Sequence, residues 1–176
     1  MSTILIEGER LRLRRAEMND FNFIFKIQYA PENLKFIVPK DEKFQIEAIE
    51  SDGAEKMNII VEEIETSKPV GYFFIQIDEF EIEFMHIVID KKGVGYGREG
   101  LNLLLKWSFE VKKFHRAWLD CKEYNQVALN LYESCGFVRE GLIRETLLTN
   151  GVYENLVVLG ILDREYFTQL VISNEE

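Results

Sequence analysis

Residues 93–97 read Gly-Val-Gly-Tyr-Gly, between a run with strand character (81–89) and a run with helical character (97–112). Glycines lack a Cβ, so the main chain there can take φ > 0 angles, approach a ligand closely and aim successive N–H groups at one point. The following helix adds the open N–H groups of its first turn and the positive end of its dipole. A strand, a loop of this kind and a helix in series form a cradle for phosphate, which makes a phosphorylated cofactor the leading ligand. A glycine-rich turn without a ligand is the competing reading, because glycines also punctuate ordinary loops.

The elements on either side give the fold. Arg10, Leu11, Arg12, Leu13 and Arg14 alternate as a half-buried strand does, and Asn19-Asp20 precedes a helical pattern through Phe21, Ile24, Phe25 and Gln28. A second helix is expected over 41–50. Strands are expected over 57–65, 70–77 and 81–89, the first two joined by a turn at 66–69, making an antiparallel meander. After the glycine loop, Leu101, Leu104, Leu105 and Phe109 recur at helical spacing and 116–121 resumes a strand, giving one βαβ crossover. Asn125 can cap a helix over 126–135, with Gly136 suited to the left-handed position that ends it. Asn150-Gly151 is a type I′ hairpin signal between strands over 142–148 and 152–162. The expected fold is α/β in the broad sense, a mixed and mostly antiparallel sheet with one crossover and flanking helices. It forms a single domain over 1–176 with its core over about 10–166, and the residues after Tyr166 read as a loosely attached tail.

Composition narrows the partners. The formal charge of −10 argues against nucleic acid, whose non-specific binding rests on Lys and Arg neutralising phosphates, and it suits a cationic substrate. Apolar runs are short and broken by charges, and the first residues lack the basic region and apolar core of a secretory signal, so no membrane segment and a cytoplasmic location are expected. Cys121 and Cys135 form no CxxC pair and stand among only two histidines, which suggests neither a disulfide scaffold nor a metal site.

Two phosphate motifs must be separated from this loop. Gly95 to Gly100 formally matches G-x-G-x-x-G, with Asp120 about where a ribose contact would fall. A dinucleotide fold opens with that unit and repeats βαβ, whereas here a meander precedes the loop, a hairpin follows it, and 90–93 lengthen the turn. No Lys-Ser or Lys-Thr follows the loop, which excludes a P-loop.

Lys92-Gly93-Val94-Gly95-Tyr96-Gly97 resembles the Gln/Arg-x-x-Gly-x-Gly/Ala acetyl-CoA loop of the GNAT N-acetyltransferase superfamily. The run from Asn125 to Phe137, containing Ala128, Leu131, Tyr132 and Gly136, resembles that superfamily's next motif. The likeness extends from Arg10 to about Tyr166. Its Leu-Arg-Leu-Arg opening strand and its closing segment, 136–151, are similar to RimJ/RimL-type and spermidine-type acetyltransferases. Lys92 stands where Gln or Arg is usual, and the link from strand to loop is shorter than in many relatives.

The resemblance implies a division of labour. The pyrophosphate of acetyl-CoA lies on the N–H groups of Gly93, Val94, Gly95, Tyr96 and Gly97 beside Lys92, and the pantetheine arm pairs with the backbone of Ile87, Val88 and Ile89. An extended, amide-bearing ligand can bind in this way as if it were an added strand, with the thioester in a gap where neighbouring strands diverge. Tyr132 occupies the position of the family's proton donor to the departing CoA thiolate, a role that suits a phenol, neutral at pH 7. Asn125 caps its helix and contacts the cofactor arm. Glu83 is the candidate base, placed by period two on the face of Ile87 and Ile89. A solvated carboxylate beside Asp78, Glu79 and Glu81 is the competing reading. His86 is a second candidate, on the opposite face from Glu83, and a water relay from several carboxylates is a third arrangement. The acceptor is a protein N-terminus by one branch of the resemblance, or a polyamine or other small amine by the other, with the acid-rich segments 47–65 and 78–83 suiting a polyamine. A catalytically silent acetyl-CoA-binding regulator, and less so a dinucleotide-binding protein, are the alternatives. The terminal hairpin offers strand edges for a homodimer.

Overall fold

In the computed structural model, which describes residues 3–173, the chain opens with two short antiparallel strands, β1 (Ile4–Glu7) and β2 (Leu11–Arg15). A 3-10 turn at Met18–Asp20 leads into α1 (Phe21–Gln28), α2 (Pro31–Leu34) and α3 (Glu42–Glu50). The expected meander follows as β3 (Lys56–Glu63), β4 (Lys68–Ile77) and β5 (Glu81–Ile89). α4 (Tyr96–Lys106) runs on through a π-helical turn at Trp107–Val111 and crosses over to β6 (Arg116–Lys122). α5 (Gln126–Ser134), β7 (Val138–Thr149), β8 (Val152–Leu162) and α6 (Asp163–Ser173) complete the described chain.

All eight strands lie in one sheet, ordered β1-β2-β3-β4-β5-β6-β8-β7. β5 and β6 are its parallel pair, flanking the single crossover, and the other neighbours are antiparallel. β3 and β4 in the sheet are covered on both faces and read as continuous apolar runs rather than alternating ones. On one face Leu11, Leu13, Ile59, Val61, Phe73 and Ile75 pack against Leu101, Leu104 and Leu105 of α4. On the other, Ile60, Tyr72, Phe74 and Val88 pack against Ile24 and Ile27 of α1 and Ala48 and Ile49 of α3. α4 lies close on the sheet because Gly100 has no side chain: a Cβ there would stand 3.0 Å from Phe73 Cζ. Asn150 and Gly151 take φ of 51° and 81°, as the type I′ turn requires.

β1 and α2 were not expected from the sequence, and two further features depart from the expectations. The segment after Tyr166 is helix as far as Ser173, anchored by the buried Tyr166, whose hydroxyl donates to Glu110 Oε1 at 2.8 Å. Its side chains at Phe167, Leu170, Val171 and Ile172 are exposed. The last three residues of the expected tail, 174–176, lie outside the described residues. The second departure is a β-bulge in β5. Its register with β4 steps from Phe74↔His86 to Ile75↔Phe84, leaving Met85 as an extra residue. One extra residue inverts the alternation of side chains from that point on.

The Leu-Arg-Leu-Arg strand explains how β2 is held. Leu11 and Leu13 enter the α4-side core, while Arg12 and Arg14 turn to the other face and meet Glu62 of β3. Arg14 Nε donates to Glu62 Oε2 at 2.5 Å, and its Nη atoms donate to both Asp20 oxygens at 2.7 and 2.8 Å. Glu62 is 4% exposed. Burial pushes its carboxyl up, but the hydrogen bonds from Arg14 and Arg12 outweigh that and hold it below the usual carboxylate range. Glu62→Ala leaves Arg14 buried with half its partners. It is expected to lower unfolding stability by about 3–5 kcal/mol, measured by urea titration at pH 7. Because the folded-state pKa is lowered, the wild-type advantage is present above the ordinary carboxylate pKa and fades as pH falls through the lowered value. A loss below about 1 kcal/mol would place this network among weak surface pairs.

Candidate active site

β5 and β6 are paired only at Glu81↔Arg116, Ile82↔Ala117 and Glu83↔Trp118, and then separate. The Met85 bulge lies just beyond the last paired residue, where the extra twist a bulge introduces turns β5 away. β6 keeps its antiparallel ladder with β8 along its whole length, so it can leave β5 and remain ordered. A cavity of about 690 Å³ fills the opening. Its walls are Glu83 to Ile89 of β5, Asp120 to Lys122 of β6, and Asn125, Ala128, Leu131 and Tyr132 of α5. The glycine loop borders it, as do Asn33 of α2 and Phe36, Val38 and Lys40 of the chain that follows α2.

Every residue singled out in the sequence borders this cavity except Val94. The Val94 side chain is exposed, and its carbonyl accepts from Arg10 Nη1 at 3.1 Å. Gly93 and Gly95 have φ of 79° and 85°, and Gly95 stands immediately before the first turn of α4, whose N–H groups are open. No atom lies within 4 Å of a Cβ built on Gly93, so its demand is conformational rather than steric. Positive-φ glycines, an open helix start and a neighbouring ammonium fit a pyrophosphate. Tyr96 is an anchor for the loop. It is 6% exposed, its hydroxyl donates to Glu63, and its ring carries the Arg10 and Lys91 cations at 5.0 and 5.3 Å from the centroid. Hydrogen bonds from Thr66, Tyr96 and Lys91 hold Glu63 down at about 2. Lys92 Nζ donates to Asn33 Oδ1 at 3.1 Å. Asn125 Oδ1 accepts from Ala128 N at 3.3 Å, which is the expected cap.

The bulge corrects the placement of the candidate bases. Glu83 pairs with Gln76, Met85 is extra, and His86 pairs with Phe74, so Glu83 lies on the α1/α3 face with His86 and Val88. Ile87 and Ile89 lie on the α4 face, opposite Glu83, because period two fails across the bulge. Burial, then the neighbouring Asp120 charge, push the Glu83 carboxyl up to about 7 against the opposing pull of Lys40. His86 is 5% exposed, its Nδ1 is 2.9 Å from the Tyr72 hydroxyl, and it stands edge-on to the Tyr72 and Phe74 rings. Burial, then the Lys40 charge, lower its pKa to about 4, so it is a neutral packing residue and a weak base.

Tyr132 belongs to the α4-side core, 8% exposed, with its ring 6.1 Å from that of Phe137. Burial, then the nearby Cys121 and Asp120, push its phenol well up, so it is a neutral proton donor. Asp120 is the wall residue that sequence reasoning gave only to a ribose. Leu119 and Cys121 are in the α4-side core, so alternation along β6 puts Asp120 on the side of Glu83, a signal legible once the gap is known. Of the acid-rich segments expected to attract a polyamine, only Glu83 borders the cavity.

The Acetyltransferase (GNAT) family model matches residues 18–137. The spermidine N(1)-acetyltransferase of Vibrio cholerae is 27% identical over 176 aligned residues, covering 92% of this chain and 98% of that one. The crystal structure of spermidine N-acetyltransferase from Vibrio cholerae in complex with CoA and spermine has a TM-score of 0.80 at 26% identity, covering 91% of this chain and 99% of that one. A Bacillus anthracis acetyltransferase of the GNAT family shares the fold, with a TM-score of 0.78 at 23% identity over 93% of this chain and 99% of its own. The family match covers most of the chain, from α1 through α5, and the chain belongs to the GNAT acetyltransferase family, as an acetyl-CoA-dependent N-acetyltransferase.

Proposed function

We propose that the chain acetylates a polyamine by direct transfer, with Glu83 as general base and Tyr132 as general acid on opposite faces of the β5–β6 gap. The observation that carries this reading is the gap itself, with a carboxyl poised near neutrality on one side and a buried neutral phenol on the other. The acetyl-CoA pyrophosphate rests on Gly93, Gly95, Tyr96 and Gly97 beside Lys92. The pantetheine arm adds to the open edge of β5 at Ile87, Val88 and Ile89, held by Asn125 across the gap.

An ammonium has no lone pair, so the acceptor first gives a proton to Glu83, with burial and then the Asp120 charge keeping the base's pKa high. The free amine attacks the thioester carbonyl carbon and a C–N bond forms. The C–S bond then breaks, and the Tyr132 hydroxyl protonates the departing thiolate. Cys121 also borders the cavity, but burial, then the Asp120 charge, push its thiol up to about 12. A protonated thiol is a poor nucleophile, which favours transfer in a ternary complex over an acetyl-cysteine intermediate.

The polyamine assignment rests on the Vibrio cholerae spermidine N(1)-acetyltransferase, whose length this chain matches almost completely. One observation favours a second acceptor: Lys35, Lys40, Lys91, Lys92 and Lys122 line the same cavity as Glu83 and Asp120, so its lining is not acidic. A peptide N-terminal amine, carrying one charge, is the alternative.

Three measurements test these assignments. Tyr132→Phe is expected to lower kcat by about 10²–10⁴-fold while CoA affinity, read by calorimetry, stays within about twofold. Near-normal turnover in that variant would remove the assignment. For the wild type, kcat/KM for the amine should rise with pH through about 7 as Glu83 loses its proton. That limb should vanish in Glu83→Gln along with most of the rate, and an unchanged pH profile would transfer the base role elsewhere. In thiol-release assays with an amine panel, spermidine should exceed short peptides with free N-termini by about tenfold or more in kcat/KM. The reverse order would establish the peptide reading, and CoA binding without thiol release from any amine would leave a silent binding protein.

A further inference from the structure

Lys92 makes a contact that its place in a phosphate loop does not require. Its ammonium donates to Asn33 Oδ1 at 3.1 Å, reaching from the glycine loop to α2 on the acceptor side of the cavity. Asn33 is 7% exposed, and its Nδ2 donates to the Ile27 carbonyl at 2.8 Å, so its oxygen is fixed in orientation. The chain after it is built on this residue. The N–H groups of Phe36 and Ile37 donate to the Asn33 carbonyl at 2.8 and 3.1 Å. Further along, Lys40 is tied to Gln28 through both its N–H and its carbonyl. Between Asn33 and Lys40, Phe36 and Val38 lie over the cavity next to His86 and Glu83.

An ammonium has three donors and a long stem, whereas one hydrogen bond to Asn33 uses a single donor. We propose that Lys92 is a positioning residue that holds Asn33 and the cofactor pyrophosphate at once, so that cofactor binding orders segment 33–40 and completes the acceptor chamber. Lys92 is therefore more than a substitute for the usual Gln or Arg of the loop. Its second donor reaches an amide oxygen that a shorter Gln would not meet from the same position. Cofactor held at the loop then steadies the segment over Glu83 through the same ammonium. Coupling of this kind is reciprocal: whatever the cofactor does for the amine, the amine does for the cofactor.

The proposal rests on the pyrophosphate lying at 93–97, and its test needs no turnover. Peptide-level hydrogen exchange is measured with CoA absent and with CoA saturating, each protein at its own calorimetrically determined saturation. In the wild type, amides in 33–40 should slow by about fivefold or more on CoA binding, together with those of the glycine loop. In Lys92→Met and in Asn33→Ala the loop should still slow while 33–40 should not. The two variants reach the contact from opposite partners, and Asn33 belongs to the acceptor side, so a common result excludes a defect of the phosphate loop alone. Wild-type exchange over 33–40 that is indifferent to CoA would overturn the coupling. Equal protection in both variants would also overturn it. Failure of every amine in the thiol-release panel would sink the proposed reaction yet leave this exchange pattern in place, so the two failures are distinguishable.

Discussion

The organisation of the molecule depends on two neighbouring parallel strands that stop pairing after three residues. Backbone N–H and C=O groups are obligatory hydrogen-bonding groups, so a sheet opened in its interior presents an edge that favours a strand-like partner. β4 holds β5 from one side and β8 holds β6 from the other, and the gap therefore persists without a ligand to prop it open. The crossover places α4 after one diverging strand, and the chain after the other leads into α5. The first turn of α4 meets the second turn of α5 beside the cavity, where a Cβ on Gly97 would touch Leu131 at 3.4 Å. An extended thioester that completes the sheet then has its reactive carbon between the two faces.

That geometry also sorts the ionisable groups. Glu62 and Glu83 lie on strands of the same sheet and turn to the same face, yet their carboxyls move in opposite directions. Glu62 receives two guanidinium groups and stays ionised. Glu83 is pushed up first by burial and then by the Asp120 charge, with only the Lys40 charge opposing, and its carboxyl rises to about 7. The first arrangement binds β2 to β3, and the second leaves a carboxyl that changes protonation state near neutral pH. Tyr132, deep in the core on the other face, has no cation in the described residues to stabilise a phenolate and remains a donor.

The glycine loop, the Asn125 cap, the Asn150-Gly151 turn and the helical pattern of α4 were legible because each follows from short-range rules: positive φ, an open first turn, a left-handed pair, a 3.6-residue period. The bulge at Met85 was not legible, since it exists only relative to the register of β4, and it reversed the face assigned to Glu83. The same limit hid Asp120, whose place beside Glu83 depends on where two strands separated by a long helix come apart. α6 was missed because its residues beyond Tyr166 are exposed and carry no clean apolar face. Lys92 was visible as a departure from the loop pattern, but its contact with Asn33 joins positions far apart in the chain.

Acceptor chemistry was the least legible part, and the reason is where the charge goes. The chain carries a formal charge of −10, and its acid-rich segments suggested a cationic binding site. In the folded chain three of those acids are committed elsewhere: Glu62 to Arg12 and Arg14, Glu63 to Lys91 and Tyr96, Glu81 to Arg116. The cavity keeps Glu83 and Asp120 among five lysines, Lys35, Lys40, Lys91, Lys92 and Lys122. Net charge can then act on a cationic acceptor only at a distance, by raising its concentration around the protein, and it weakens with salt. Selection among amines falls to the few groups inside the chamber, and their placement depends on the segment that Lys92 and Asn33 hold in position.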